Sequence, residues 1–180
     1  MKNTNRLKLL LNLYKFFKPK LYKKMILTGR LFEFLTKEYD EELKIEKKHY
    51  VEASYLCNIG FLGIDEFLHQ ENFKKDSSLD LIKNHVMLSC DFLEKNDFEE
   101  AASIVELHHE LPNGMGYLKI QQQDKLIAYL NISDEFIDLT VDYYKNTPLQ
   151  IASGACKIVL GKYKNNNLIT QISYLLNDLS

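Results

Sequence analysis

Tryptophan is absent, and the 180 residues hold only three prolines and seven glycines. So few breakers exclude the turn-rich sandwiches and barrels of all-β chains and favour helices. Cysteine is scarce as well. Cys57, Cys90 and Cys156 are odd in number, widely spaced and form no CxxC pair. That pattern excludes a disulfide framework and a zinc knuckle, and it makes a reducing cytoplasm the expected location. Apolar runs such as Leu9-Leu10-Leu11 are far too short to cross a bilayer. The N-terminus shows no sustained apolar stretch with a small-residue cleavage site, so no secretory leader is expected. No GxGxxG run, P-loop or nucleophile elbow occurs. Acidic residues are missing from residues 1–32, which hold nine cations: Lys2, Arg6, Lys8, Lys15, Lys18, Lys20, Lys23, Lys24 and Arg30.

What is present is apolar residue at helical spacing. Nearly half the chain is hydrophobic, enough for a real core, and the net charge is only −2. Leu7, Leu10, Leu11, Tyr14 and Phe17 recur at intervals of three and four, predicting a basic amphipathic helix over residues 1–18 that stops near Pro19. A second helix is expected from Leu21 to Tyr39, weakened locally by Gly29, and a third from Glu41 to Asn58. The two glycines in Ile59–Ile64 mark a turn. Ser77 or Ser78 is a candidate cap for a helix ending at Glu94, and Asn96 or Asp97 for one ending at Glu110. Three more helices are expected over residues 123–145, 148–163 and 166–178, with Thr147 and Pro148 suited to opening the second of them. No repeat or linker interrupts the series. The reading is one all-α domain, residues 19–180, preceded by the basic helix.

That helix has two readings. Its apolar face packs on the domain, or its basic, Phe16- and Phe17-tipped surface lies in a membrane interface. Packing is the simpler expectation. Nucleic-acid binding gains no support, because no binding module is legible.

The string Glu106-Leu107-His108-His109-Glu110-Leu111-Pro112-Asn113-Gly114-Met115-Gly116-Tyr117 carries the chemistry. Imidazoles are good ligands for zinc, iron and similar ions. Consecutive histidines project about 100° apart on a helix, so both serve one site only near the helix end. Residues 112–117 must form a structured loop, and its glycines would let backbone N–H groups approach a phosphate.

This string resembles the signature of HD-GYP domains, two histidines and a glutamate followed by a D/N-G-x-G-Y loop, with Leu118 where the family has proline. The resemblance extends over most of residues 20–178. The family's A-x-L-x-H-D-I-G-K-I-G-I segment aligns with Ala53–Ile64, where Cys57 and Asn58 replace the catalytic His-Asp pair and Phe61 replaces the lysine. Lys83-Asn84-His85 aligns with the family's K-x-H, and Asp134 falls on a ligand position. The family's first-helix histidine aligns near Tyr22.

The resemblance implies a single HD-domain-like bundle of about seven to eight helices. It also implies cyclic di-GMP hydrolysis by two or three metal ions. The substitutions oppose that activity. Two dications about 3.5 Å apart repel by about 19 kcal/mol at an effective dielectric of 20, and bridging carboxylates must offset it. Asn58 carries no charge, and Cys57 is shorter than histidine. His85, His108, His109 and Asp134 remain, a set suited to one divalent transition ion such as iron, manganese or zinc. The expectation is therefore an impaired, non-catalytic signalling domain. It would bind a cyclic dinucleotide in the old cleft. Alternatively it would bind a protein partner, such as a diguanylate cyclase domain, through Asn113, Gly114, Gly116 and Tyr117. Two other readings stay open: a divergent metal-dependent phosphohydrolase, with Asn58 orienting water, and an assembly protein on an HD-like frame. Asp65, Glu66, Asp138, Glu52 and Glu106 are expected to be solvated or capping carboxylates, and His49 and His69 to lie at the surface.

Overall fold

The computed structural model describes residues 2–37, 47–64, 76–140 and 152–163. Seven α-helices and no strand occur among them. They are α1 (Lys2–Phe17), α2 (Pro19–Leu35), α3 (Lys47–Leu56), α4 (Asp76–Glu94), α5 (Glu99–Glu106), α6 (Lys125–Thr140) and α7 (Ala152–Gly161). A 3-10 turn, Ile59–Gly63, follows α3. The expected all-α architecture is what forms.

α2 is the central element. It packs against α1, α3 and α6, while α4 packs on α5 and on the 3-10 turn, and α7 covers α6. The buried cluster between them includes Met25, Phe32, Leu56, Leu93, Val105 and Leu130. α6 explains why so central a helix lacks a strong amphipathic pattern: nearly all its residues from Leu126 to Ile137 are buried. Tyr14 of α1 belongs to the same cluster, with Leu7, Leu10 and Leu11 packed beside it. The inner face of the basic helix is thus part of the domain.

Several boundaries differ from those read in the sequence. Pro19 opens α2 instead of standing before it, a position where the missing N–H costs nothing. α4 begins at Asp76. Asn96 and Asp97 do not cap α5. They close α4: Asn96 Nδ2 donates to Phe92 O, Phe98 N donates back to Leu93 O, and Asp97 takes the left-handed conformation at φ 60°. This is the helix-ending motif that usually places glycine where Asp97 stands. α5 starts two residues later and stops at Glu106, four residues short of Glu110. Asp124, whose Oδ1 accepts from Leu126 N and Ile127 N, caps α6. The helix expected over 166–178, the turn at Thr147–Pro148, and Asp65, Glu66 and His69 lie outside the described residues.

Gly60 shows why the 3-10 turn needs its glycine. A Cβ there would sit 2.2 Å from His85 O and 2.6 Å from Ser89 N. The turn therefore lies directly on the α4 backbone. Ser89 Oγ fixes it, accepting from Gly60 N and donating to Cys57 O.

Candidate metal centre and the ion pair beside it

α5 ends at Glu106, and the chain continues through tight turns, with His108 N bonded to Val105 O and Glu110 N to Leu107 O. This early ending lets both neighbouring histidines turn toward α4. His85, His108 and His109 bring their nitrogens within 4.8 Å of one another. His85 Nε2 lies 3.3 Å from His108 Nε2 and 3.3 Å from His109 Nε2.

The tautomers follow from the other ring nitrogens. His85 Nδ1–H donates to Ile82 O at 2.7 Å, and His108 Nδ1–H donates to Val105 O at 2.5 Å. Both Nε2 atoms therefore carry lone pairs, and they lie 3.3 Å apart. Two acceptors at that distance repel unless a cation lies between them. Burial holds the pKa of all three imidazoles down, His85 to about 3, His109 well below its usual value, and His108 in the same direction. The mutual presence of neighbouring histidines adds to this for His85 and His109. Protons are thus a poor counter-charge, whereas a metal ion fits. An ion bound at about 2.0–2.1 Å by two imidazoles needs nitrogens about 3.0–3.4 Å apart. Backbone acceptors on Nδ1 are the usual outer support of metal-binding histidines.

Aromatic rings bracket the trio. Phe61 stacks on His85 with centroids 4.3 Å apart and planes 8° off parallel, and Tyr117 stacks on His109 at 4.3 Å. Phe61, aligned with the family's lysine, thus becomes a flat wall of the site.

Asp134 stands beside the trio and is already engaged. Asn58 Nδ2 donates to its Oδ1 at 2.5 Å, Thr28 Oγ1 lies 3.4 Å away, and Lys24 Nζ 3.5 Å away. Lys24 also donates to Asp138 Oδ2 at 2.7 Å on the outer side. The lysine side chain is 10 % exposed and that of Asp134 2 %. Burial would lower the Lys24 pKa, but Asp134 and Asp138 more than reverse it and raise it. Burial would likewise raise Asp134, yet Lys24, His108 and the Asn58 amide bring it down. Both partners are charged. Cys57 is fully buried, and burial together with Asp134 holds its thiol protonated. A thiolate ligand at Cys57 is therefore disfavoured.

Sequence reasoning missed three of these elements. Lys24 read as one cation in a basic run, and nothing local distinguishes a buried lysine from a solvated one. Glu110 was legible only as part of a motif, although it is the loop's anchor: its carboxylate accepts from Leu118 N at 2.8 Å and Ile120 N at 2.9 Å. The third is a brace from the turn that follows α7. Tyr163 O–H donates to Asn131 Oδ1, and Asn131 Nδ2 donates to His108 O. Glu52, expected in solvent, is buried on α3 at 3 % exposure, within ion-pair range of Lys48 and His49. His49 is partly covered and Glu106 is exposed as expected.

The loop residues have structural employment. Asn113 Oδ1 accepts from Met115 N, Gly114 has φ 70°, and a Cβ on Gly116 would meet His109 O at 2.5 Å. Replacing Glu110 by alanine should leave two amides without acceptors. The expected cost is about 2–3 kcal/mol. Hydrogen exchange at the Leu118 and Ile120 amides should rise sharply while the core amides of α6 change little.

The helical arrangement is an HD-domain-like bundle. The crystal structure of the HD domain of the Listeria monocytogenes phosphodiesterase PgpH shares the fold, with a TM-score of 0.59 over 91 % of this chain and 86 % of that chain. Sequence identity is 17 %, so the likeness is one of fold. No family model matches the chain, and no curated protein matches it.

Proposed function

We propose that this chain is a degenerate HD-GYP-like signalling domain that holds one divalent transition ion on His85, His108 and His109 and acts by binding. The observation carrying this reading is the Lys24–Asp134 pair. A binuclear hydrolytic centre needs carboxylates to offset the repulsion of two dications, and Asn58 has replaced one of them while Asp134 stands beside the trio. Here a protein ammonium and the Asn58 amide hold that carboxylate instead. The Lys24 ammonium beside Asp134 repels a dication approaching that carboxylate. The bound ion would supply a Lewis-acidic point of attachment for a phosphate oxygen. The expected ligand is a cyclic dinucleotide such as cyclic di-GMP, with capture of a signalling protein through the loop Asn113–Tyr117 as the other binding mode. The shared fold with a phosphodiesterase HD domain supports a phosphate-containing ligand.

The three-histidine group alone favours a second reading, a divergent phosphohydrolase working with one ion. Elemental analysis and calorimetry separate the two. The purified protein, supplied with zinc, manganese or iron, is expected to retain a single ion per chain, lost in His108→Ala. It should bind cyclic di-GMP more tightly with the ion than without, and leave the dinucleotide uncleaved over hours. Two ions per chain, or turnover that disappears in Asp134→Ala, would overturn the proposal in favour of the phosphohydrolase.

A further inference from the structure

α1 is apolar over more of its circumference than the domain covers. Leu7, Leu10, Leu11 and Tyr14 face the core. Leu9, Leu13, Phe16 and Phe17 occupy the adjoining arc and are 61, 46, 81 and 70 % exposed. At helical spacing these four side chains span about 100°. The Phe16 and Phe17 rings meet edge to face, with centroids 5.0 Å apart, at the corner where the chain turns at Pro19 into α2. Lys8 and Lys15 are exposed beyond the far margin of this arc. Arg6 pairs with Asp97, an acid from outside the basic segment. The packing and interfacial readings of the basic helix thus use different arcs of one element.

We propose that the α1–α2 corner docks on a bilayer surface rich in anionic lipid. Phe16, Phe17, Leu9 and Leu13 enter the boundary between headgroups and acyl chains, and the lysines meet lipid phosphates. Charge selects this occupant. Lys8 and Lys15 are exposed in a stretch that contains no acid, and exposed cations beside an apolar arc are drawn to an anionic surface. A second copy is disfavoured, because a symmetric contact would press the same basic patch against itself. A nucleic acid could neutralise the lysines but offers nothing to the two leucines. Long lysine stems can lie along an apolar layer while their ammonium groups reach phosphate. No helix among the described residues is long and apolar enough to cross the membrane.

The test is co-sedimentation of the full chain with vesicles of phosphatidylcholine alone and of phosphatidylcholine mixed with phosphatidylglycerol. Binding is expected only to the mixed vesicles, and it should weaken as salt screens the charges. The double substitution Phe16→Ser and Phe17→Ser should weaken it roughly tenfold or more, because two phenyl rings no longer leave water. Lys8→Glu with Lys15→Glu should weaken it comparably. Both Phe16 and Phe17 are exposed, so unchanged thermal melting is expected. Leu9→Asp, at a separate exposed position, supplies an independent variant. Failure to sediment with the mixed vesicles would overturn the proposal. So would binding that the serine variant leaves intact, or a solution dimer of the parent chain that the serine variant dissolves.

Discussion

Lys24→Met is expected to destabilise the domain by about 3–5 kcal/mol, the range for stranding one partner of a buried ion pair. The reason lies in Asp134, whose side chain is 2 % exposed and keeps only neutral donors, Asn58 Nδ2 and Thr28 Oγ1, once the ammonium is gone. Asp138 cannot take the place of Lys24, because it is itself acidic and half exposed. A double-mutant cycle followed by urea unfolding checks the claim. Lys24→Met combined with Asp134→Leu removes both charges and should recover most of the lost stability, since burying neither ion avoids both desolvation penalties. A Lys24→Met cost below about 1 kcal/mol would mean that Asp134 is protonated or solvated, and the single-ion argument would fail with it. The same variant has a second readout. With the ammonium removed, Asp134 becomes available to a dication, so zinc or manganese should stabilise Lys24→Met more than it stabilises the parent chain.

Much of this site was legible in the sequence because the motif spacing is rigid. Two histidines at the end of one helix and a third on a neighbouring helix converge wherever those helices pack, and His85, His108 and His109 do converge. The order of the seven helices among the described residues followed from apolar spacing that the core then used. Boundaries were misread where a side chain did an unexpected job, as when Asn96 and Asp97 ended α4 instead of starting α5. Glu52 and Lys24 could not have been placed. A charged residue is normally solvated, and only the packing of α2 on α6 and of α3 on α5 reveals which ones are enclosed. The loop glycines suggested a ligand cradle when read alone. In the fold, Gly116 is explained by contact with the Glu110 backbone and Tyr117 by stacking on His109.

Mild acid should unfold the metal-free protein. In the unfolded chain each histidine takes up a proton near pH 6.5, whereas in the fold burial, with the neighbouring imidazoles, holds His85 near 3 and keeps His108 and His109 below their usual value. Between those limits the unfolded state carries more protons. Stability is therefore complete above about pH 6.5 and falls as the pH drops through the window beneath it. Each fully shifted group contributes about 1.4 kcal/mol per pH unit. His85, held near 3, contributes that slope through most of the window, and His108 and His109 act in the same direction. Asp134 acts in a lower window: its depressed pKa protects the fold above the ordinary carboxylate range and is lost only beneath it. Urea midpoints measured from pH 7.5 to 5 should therefore decline steeply in the metal-free chain. His85→Gln should flatten the decline by about one proton. Saturating zinc should carry the stable range to lower pH, because an ion held by the folded trio adds its binding free energy to the folded state. A metal-free protein equally stable at pH 7 and pH 5 would mean that the three imidazoles are solvated in the folded state. The lone-pair argument for a metal site would then lose its footing.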